Sequence, residues 1–103
     1  MTNKTIETAL NLLSNSSIET TPNVYAKYGQ FIQLLPKDCD IYVTYLPDEN
    51  MKNVIKTCRK LNDESFNAIP HLPARTIKNN EELEKYIGSL SEIAGSNKIL
   101  VIG

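Results

Sequence analysis

The sequence has few of the residues on which most metal and nucleophilic sites depend. Its 103 residues include one histidine, His71, and two cysteines, Cys39 and Cys58. One histidine and two scattered cysteines cannot form a structural zinc site of the usual kind, so we expect no metal. The cysteines lie in no CxxC motif, which favours reduced thiols in a cytoplasmic protein. Glycine-rich phosphate loops and the GxSxG nucleophile motif are also absent.

The chain also lacks a charge excess and long apolar runs. Eleven Lys and Arg oppose twelve Asp and Glu, and this net charge of −1 argues against nucleic acid or an anionic membrane as the main partner. Apolar runs are only a few residues long, and the N-terminus lacks a signal-peptide layout, so we expect no membrane span. The length permits one domain at most.

Predicted strands and helices alternate along the chain. Strands are predicted to start near residues 17, 41, 66 and 98, and helices to cover about 3–14, 23–35, 49–61 and the stretch between Asn79 and Gly95. Asp48 is a candidate cap for the third helix, and Asn79 with Glu82 forms a capping-box pattern for the fourth. The helix over 23–35 carries an apolar stripe made of Val24, Tyr28, Phe31, Ile32 and Leu35.

This alternation predicts an α/β fold with a parallel sheet. The last strand, 98–102, is almost entirely apolar and is expected to be buried. Four strands, three intervening helices and an N-terminal helix correspond to the N-terminal half of a TIM (β/α)₈ barrel, which needs about 250 residues. We therefore expect residues 1–103 to form a single partial barrel domain, truncated after strand 4. A missing C-terminal half-barrel or a homo-oligomer would complete it.

Polar residues or glycine stand where the predicted strands end. Glu19, Thr44, His71 and Gly103 follow successive strands, and Arg75 lies in the loop after the third. Because carboxyl ends of parallel strands gather at one mouth, we expect these residues to face the same side. A partly desolvated carboxyl suits a general acid, and an Arg suits a phosphate or carboxylate. The alternatives are a solvated Glu, a strand-favouring Thr, a structural His and a surface Arg.

Four segments resemble the first four strands of the 5,10-methylenetetrahydrofolate reductase family in order and spacing, over nearly the whole chain. They are Ser17-Ile18-Glu19-Thr20-Thr21-Pro22, Tyr42-Val43-Thr44-Tyr45, Ile69-Pro70-His71-Leu72-Pro73-Ala74-Arg75 and Asn97-Lys98-Ile99-Leu100-Val101-Ile102-Gly103. The Pro-His-Leu motif followed by the Arg, downstream of Val-Thr-Tyr, is the most specific part. The chain departs from the family at Thr20, Thr21 and Asn23, where aromatic residues and a second proline are usual.

The resemblance implies a flavoprotein of one-carbon metabolism and methionine biosynthesis. Such an enzyme holds FAD and passes a hydride from NAD(P)H, through the flavin, to 5,10-methylenetetrahydrofolate, giving 5-methyltetrahydrofolate. By motif, Glu19 corresponds to the catalytic acid that helps open the folate's imidazolidine ring. Thr44, His71 and Arg75 correspond to cofactor-binding residues. The family's Asp after the fourth strand does not follow Gly103 here, so we expect the 103-residue fragment alone to be inactive.

Two other interpretations stay open. The chain is alternatively a non-catalytic small α/β half-barrel module that self-associates or binds a partner. The altered residues after Glu19 also leave room for a different barrel enzyme of one-carbon metabolism.

Overall fold

The computed structural model describes residues 3–5, 8, 18–46 and 50–102. Their elements are β1 (Ile18–Thr20), α1 (Pro22–Ile32), β2 (Asp40–Val43), α2 (Met51–Asp63), β3 (Asn67–Pro73), α3 (Asn80–Glu92) and β4 (Leu100–Ile102). Residues 3–5 and 8 are helical, and the rest of the helix predicted over 3–14 lies outside the described residues. None of the described helices combines the length and the apolar character that crossing a bilayer requires.

The four strands form one parallel sheet in the order β1-β2-β3-β4. The α/β class and the parallel sheet predicted from the alternation of elements are therefore confirmed. A helix connects each strand to the next, as a parallel pair requires. The register pairs Glu19 with Tyr42 and Tyr42 with Ile69, so these three residues form one row across the sheet.

The hydrophobic core lies between one face of the sheet and the helices. This sheet face contributes Ile41, Val43, Ala68 and Leu72 to the core. Helix α2 contributes four buried residues, and α3 contributes two large side chains; they are Val54, Ile55, Cys58, Leu61, Tyr86 and Leu90. One face of the sheet is thus covered by helices.

Helix α1 departs from its predicted length and packing face. It ends at Ile32 rather than near residue 35, and Tyr28 has non-helical backbone angles (φ −125°, ψ 15°) that kink it. Val24, Tyr28 and Phe31 are exposed. The side chains of this segment that pack on the core are Tyr25, Ile32 and Leu35. The predicted apolar stripe is therefore wrong in part, because three of its five residues face solvent.

Asparagine side chains cap the other two helices. The Asn50 carboxamide oxygen accepts a hydrogen bond from the Lys52 N–H at 2.7 Å, whereas the predicted cap, Asp48, lies outside the described residues. Before α3, Asn79 accepts from the Glu82 N–H at 2.8 Å, as the capping-box pattern predicted. Both caps satisfy a backbone donor that the first helical turn leaves unpaired.

Strand β4 contradicts the prediction of a buried strand. It is an edge strand of the sheet, and Leu100, Val101 and Ile102 are 41%, 61% and 40% exposed. Apolar composition predicted the strand itself correctly. Its burial depends on what lies beyond the edge of the sheet, which the composition of the strand does not contain.

Candidate functional site

The sheet has a second face, which points away from the helix-covered core. Side chains alternate between the two faces of a strand, so the row formed by Glu19, Tyr42 and Ile69 lies on this second face. His71 lies two residues beyond Ile69 in β3 and therefore shares the same face. We refer to this surface, defined by Glu19, Tyr42, Thr44, Ile69 and His71, as the open face.

Thr44 belongs to the open face although it follows the last residue of β2. Its N–H donates to the Thr20 carbonyl oxygen at 2.9 Å, so pairing between the first two strands continues past Val43. Val43 is in register with Pro70, which makes Thr44 level with His71. The strands therefore carry Glu19, Thr44 and His71, three of the five residues predicted to face the same side, to one face of the sheet. Gly103, another of the five, lies outside the described residues.

His71 has the most unusual environment on the open face. It is only 6% exposed, and neither of its ring nitrogens has a hydrogen-bond partner in the described part of the chain. The Tyr42 ring lies beside it, with ring centroids 6.2 Å apart and planes tilted by 54°. Burying a polar group without a hydrogen-bond partner costs free energy relative to leaving it hydrated. The imidazole therefore has unused capacity to donate and accept hydrogen bonds.

A helix residue forms a hydrogen bond to the backbone of His71. The Tyr86 hydroxyl in α3 donates to the His71 carbonyl oxygen at 2.9 Å. Burial raises the pKa of the Tyr86 phenol, and the neighbouring Cys58 and Tyr45 raise it further. The phenol consequently stays protonated at neutral pH and remains a donor. This bond links α3 to the strand residue whose side chain lies on the open face.

Glu19 and Thr44 are more exposed to solvent than His71. Glu19 is exposed and Thr44 is half-buried. Among the described residues, neither the Glu19 carboxylate nor the Thr44 hydroxyl has a hydrogen-bond partner. An acid, a hydroxyl and an imidazole thus lie on one face with polar atoms that the described chain does not use.

Arg75 lies in the turn after β3, outside the strands that carry the other predicted site residues. It is exposed and follows β3 in a turn, where the N–H groups of Thr76 and Ile77 donate to the Pro73 carbonyl oxygen at 2.9 and 3.2 Å. Within the described residues it forms no ion pair. A guanidinium in this position is available to an anionic group at the carboxyl end of β3, but it is not part of the open face.

Tyr42 is a candidate site residue that the sequence reasoning did not single out. It lies between Glu19 and Ile69 in the register and places its ring beside His71. Its position two residues before Thr44 was an available signal, since strand residues at i and i+2 share a face. Tyr42 therefore belongs with Thr44 and His71 as a surface on which a planar ligand can lie.

The described residues give less support for a metal site or for a nucleophilic cysteine. No group of three or more His, Cys, Asp or Glu side chains comes together there as metal ligands. Burial raises the pKa of the Cys58 thiol to about 12, so this cysteine stays protonated and is a poor nucleophile. No protein-family model matches the chain. The polar residues of the open face are therefore the starting point for assigning a function.

Proposed function

We propose that this chain is the N-terminal half of a TIM barrel enzyme of the 5,10-methylenetetrahydrofolate reductase kind. The observation that carries the proposal is the presence of Glu19, Thr44 and His71 on one face of a parallel sheet whose order is β1-β2-β3-β4. In a complete barrel this face would line the interior, and its carboxyl end would form the mouth where active sites lie. The predicted resemblance to that family assigns the same three residues to the active site.

The residues of the open face fit a flavin. The two ring nitrogens of His71 have no partner among the described residues and are buried, so a ligand edge that donates and accepts hydrogen bonds would satisfy them. Tyr42 provides an aromatic edge and Thr44 a hydroxyl next to that imidazole. Arg75, exposed at the end of β3, suits an anionic group of the cofactor. When bound, FAD supplies the hydride-carrying chemistry between NAD(P)H and the folate.

Glu19 would act on the folate rather than on the cofactor. Its carboxyl lies in the same row as Tyr42, one row away from Thr44 and His71. A carboxylic acid there would donate a proton to the folate's imidazolidine nitrogen as the ring opens. General acid catalysis of this kind contributes about 10²- to 10⁴-fold in rate.

The test uses the longest form of the protein that its gene encodes. That protein should bind FAD, its flavin should be bleached by NADH or NADPH without oxygen, and the colour should return on adding 5,10-methylenetetrahydrofolate. The Glu19→Gln variant should slow the return of colour at least 100-fold and leave bleaching nearly unchanged, because only the folate step needs the acid. Glu81→Gln, on the exposed first turn of α3, is the matched control. A colourless protein that takes up no added FAD would remove the proposal.

A non-catalytic module that self-associates is the second candidate. The exposed apolar residues of β4 and of α1 favour it, because an unpaired apolar edge strand is a template for pairing with another chain. Two copies pairing through β4 would cover Leu100 and Ile102. This candidate predicts a dimer by sedimentation at micromolar concentration and no affinity for FAD. A monodisperse monomer at that concentration would count against it.

A further inference from the structure

A groove between α2 and α3 combines an apolar floor with a positively charged rim. Its volume is about 530 Å³, and its lining includes four basic side chains, those of Lys52, Lys56, Arg59 and Lys85. Met51, Ile55 and Ile93 provide the apolar surface. Ile55 is 9% exposed and lies deepest, whereas the basic side chains are exposed. The groove lies among the helices, on the other side of the core from the open face.

The charged side chains that line this groove are all basic among the described residues. Three of the basic residues recur on α2 at spacings of four and three, which places them on one side of the helix: Lys52, Lys56 and Arg59. Lys85 contributes from α3, and among the described residues no carboxylate lines the groove. Arg59 pairs with Asp63 at 3.9 Å, but both side chains are more than 60% exposed (62% and 73%), so the pair is weak.

The lysines of the rim have no partner in the part of the chain that the structure describes. Lys52, Lys56 and Lys85 form no ion pair there. The chain as a whole has a net charge of −1, so the rim is a local concentration of positive charge rather than part of a basic protein. Such a rim attracts a ligand whose charge is negative where it meets the lysines.

We propose that this groove binds an acidic amphipathic helix of a partner protein. The apolar face of such a helix would lie over Met51, Ile55 and Ile93, and carboxylates on its flanks would meet Lys52, Lys56 and Lys85. A cleft between two packed helices accommodates the side-chain ridges of a third helix. A flat lipid surface reaches the recessed Ile55 less well, and an apolar floor offers nothing to the phosphates of a nucleic acid. The proposal is independent of the proposed enzymatic function, because it involves none of the residues of the open face.

The test measures binding of a fluorescein-labelled helical peptide to the 103-residue chain by fluorescence anisotropy. The peptide has Leu at positions i, i+4 and i+7 and Glu on both flanks; a matched peptide has Lys in place of every Glu. The small contact area predicts a Kd on the order of 10–100 μM for the acidic peptide, since small interfaces bind weakly. Affinity should fall on raising the salt concentration from 0.05 to 0.5 M, because exposed charges are screened. The basic peptide should not bind.

Two double variants locate the contact. Lys52→Glu with Lys56→Glu should weaken binding of the acidic peptide at least tenfold. Lys27→Glu with Lys78→Glu makes the same charge change at exposed positions outside the groove and should alter it less than twofold. Equal loss in both variants, or equal binding of both peptides, would overturn the proposal. Binding to vesicles containing phosphatidylserine without binding of the acidic peptide would overturn it as well.

Discussion

Tyr86 and His71 are joined across the core by a hydrogen bond of 2.9 Å, from the phenol of a helix residue to the carbonyl oxygen of a strand residue. Tyr86 is fully buried and also packs edge-on against Tyr45, with ring centroids 5.5 Å apart. The imidazole of His71 lies on the opposite face of the sheet from this bond. Helix α3 therefore fixes the backbone of the residue whose buried ring nitrogens have no hydrogen-bond partner among the described residues.

Removing the Tyr86 hydroxyl should destabilise the fold without leaving a large cavity in the core. We expect Tyr86→Phe to lower the free energy of unfolding by about 1 kcal/mol, because the buried His71 carbonyl loses its donor and the ring remains. Urea unfolding followed by circular dichroism measures this change. Tyr28→Phe is the control, since Tyr28 is exposed, and its effect should stay below about 0.5 kcal/mol. Equal losses in the two variants would contradict the structural role of the bond.

Stability should fall at alkaline pH partly because of Cys58. Burial raises the pKa of its thiol from the ordinary 9.0 to about 12, so the folded chain retains a proton that the unfolded chain releases. The stabilisation from this difference is fully present below pH 9 and is lost as the pH rises from 9 toward about 12. The slope approaches about 1.4 kcal/mol per pH unit for a single group. Raised pKa values of Tyr25 and Tyr86 add to the loss at higher pH.

Urea midpoints at pH 8, 9 and 10 isolate the contribution of the thiol. Cys58→Ala should be less stable than the parent at pH 8, and its stability should fall less between pH 9 and 10. Val54→Ala, also fully buried on α2, removes apolar contacts without removing a titrating group and should keep the parent's slope. An unchanged slope in Cys58→Ala would contradict the assignment.

Much of the architecture was predictable because it depends on local patterns. Alternating apolar strands and amphipathic helices predicted the parallel sheet. The Asn79–Glu82 cap was predictable for the same reason, since both partners lie within one turn of the helix.

Features that depend on distant parts of the chain were not predictable from local patterns. The burial of β4 depends on what pairs with its outer edge. At the candidate site, the positions of Glu19, Thr44 and His71 at the carboxyl ends of parallel strands predicted that they face the same side. The absence of a described partner for both His71 nitrogens depends on side chains from several elements, so no sequence pattern indicates it.

Ser65 offers a stabilising substitution in the loop before β3. Its φ of 71° lies in the left-handed region, which costs a non-glycine residue roughly 1–2 kcal/mol. Only its backbone forms described hydrogen bonds: the N–H donates to the Asn62 carbonyl oxygen at 3.1 Å, and the carbonyl oxygen accepts from the Asp38 N–H at 2.8 Å. Ser65→Gly should therefore raise the free energy of unfolding by about 0.5–1 kcal/mol, after the entropy cost of glycine.

The urea midpoint is the measurement for Ser65 as well. Ser65→Ala retains a Cβ at the same φ and should give no gain, which makes it the matched control. If Ala and Gly raised the midpoint equally, backbone strain would not be the cause.

Asn62 joins three segments through one carboxamide. Its nitrogen donates to the Ala94 carbonyl oxygen at 2.7 Å and to the Ser96 hydroxyl at 3.1 Å, and its oxygen accepts from the Ala68 N–H at 3.0 Å. The Ser96 hydroxyl in turn donates to the Ala68 carbonyl oxygen at 3.1 Å. The end of α2, the start of β3 and the loop before β4 are therefore held by one network of hydrogen bonds.

Asn62→Ala should lower the free energy of unfolding by about 2–3 kcal/mol, because it leaves a strand N–H and a carbonyl oxygen without partners. Asn62→Asp retains the acceptor for the Ala68 N–H but points a carboxylate at the Ala94 carbonyl. Its stability should recover as the pH falls toward 4, since the protonated acid can donate there. Asn97→Ala, exposed in the neighbouring loop, should cost less than about 0.5 kcal/mol. If Asn62→Ala and Asn97→Ala had equal urea midpoints, the network would contribute nothing to stability.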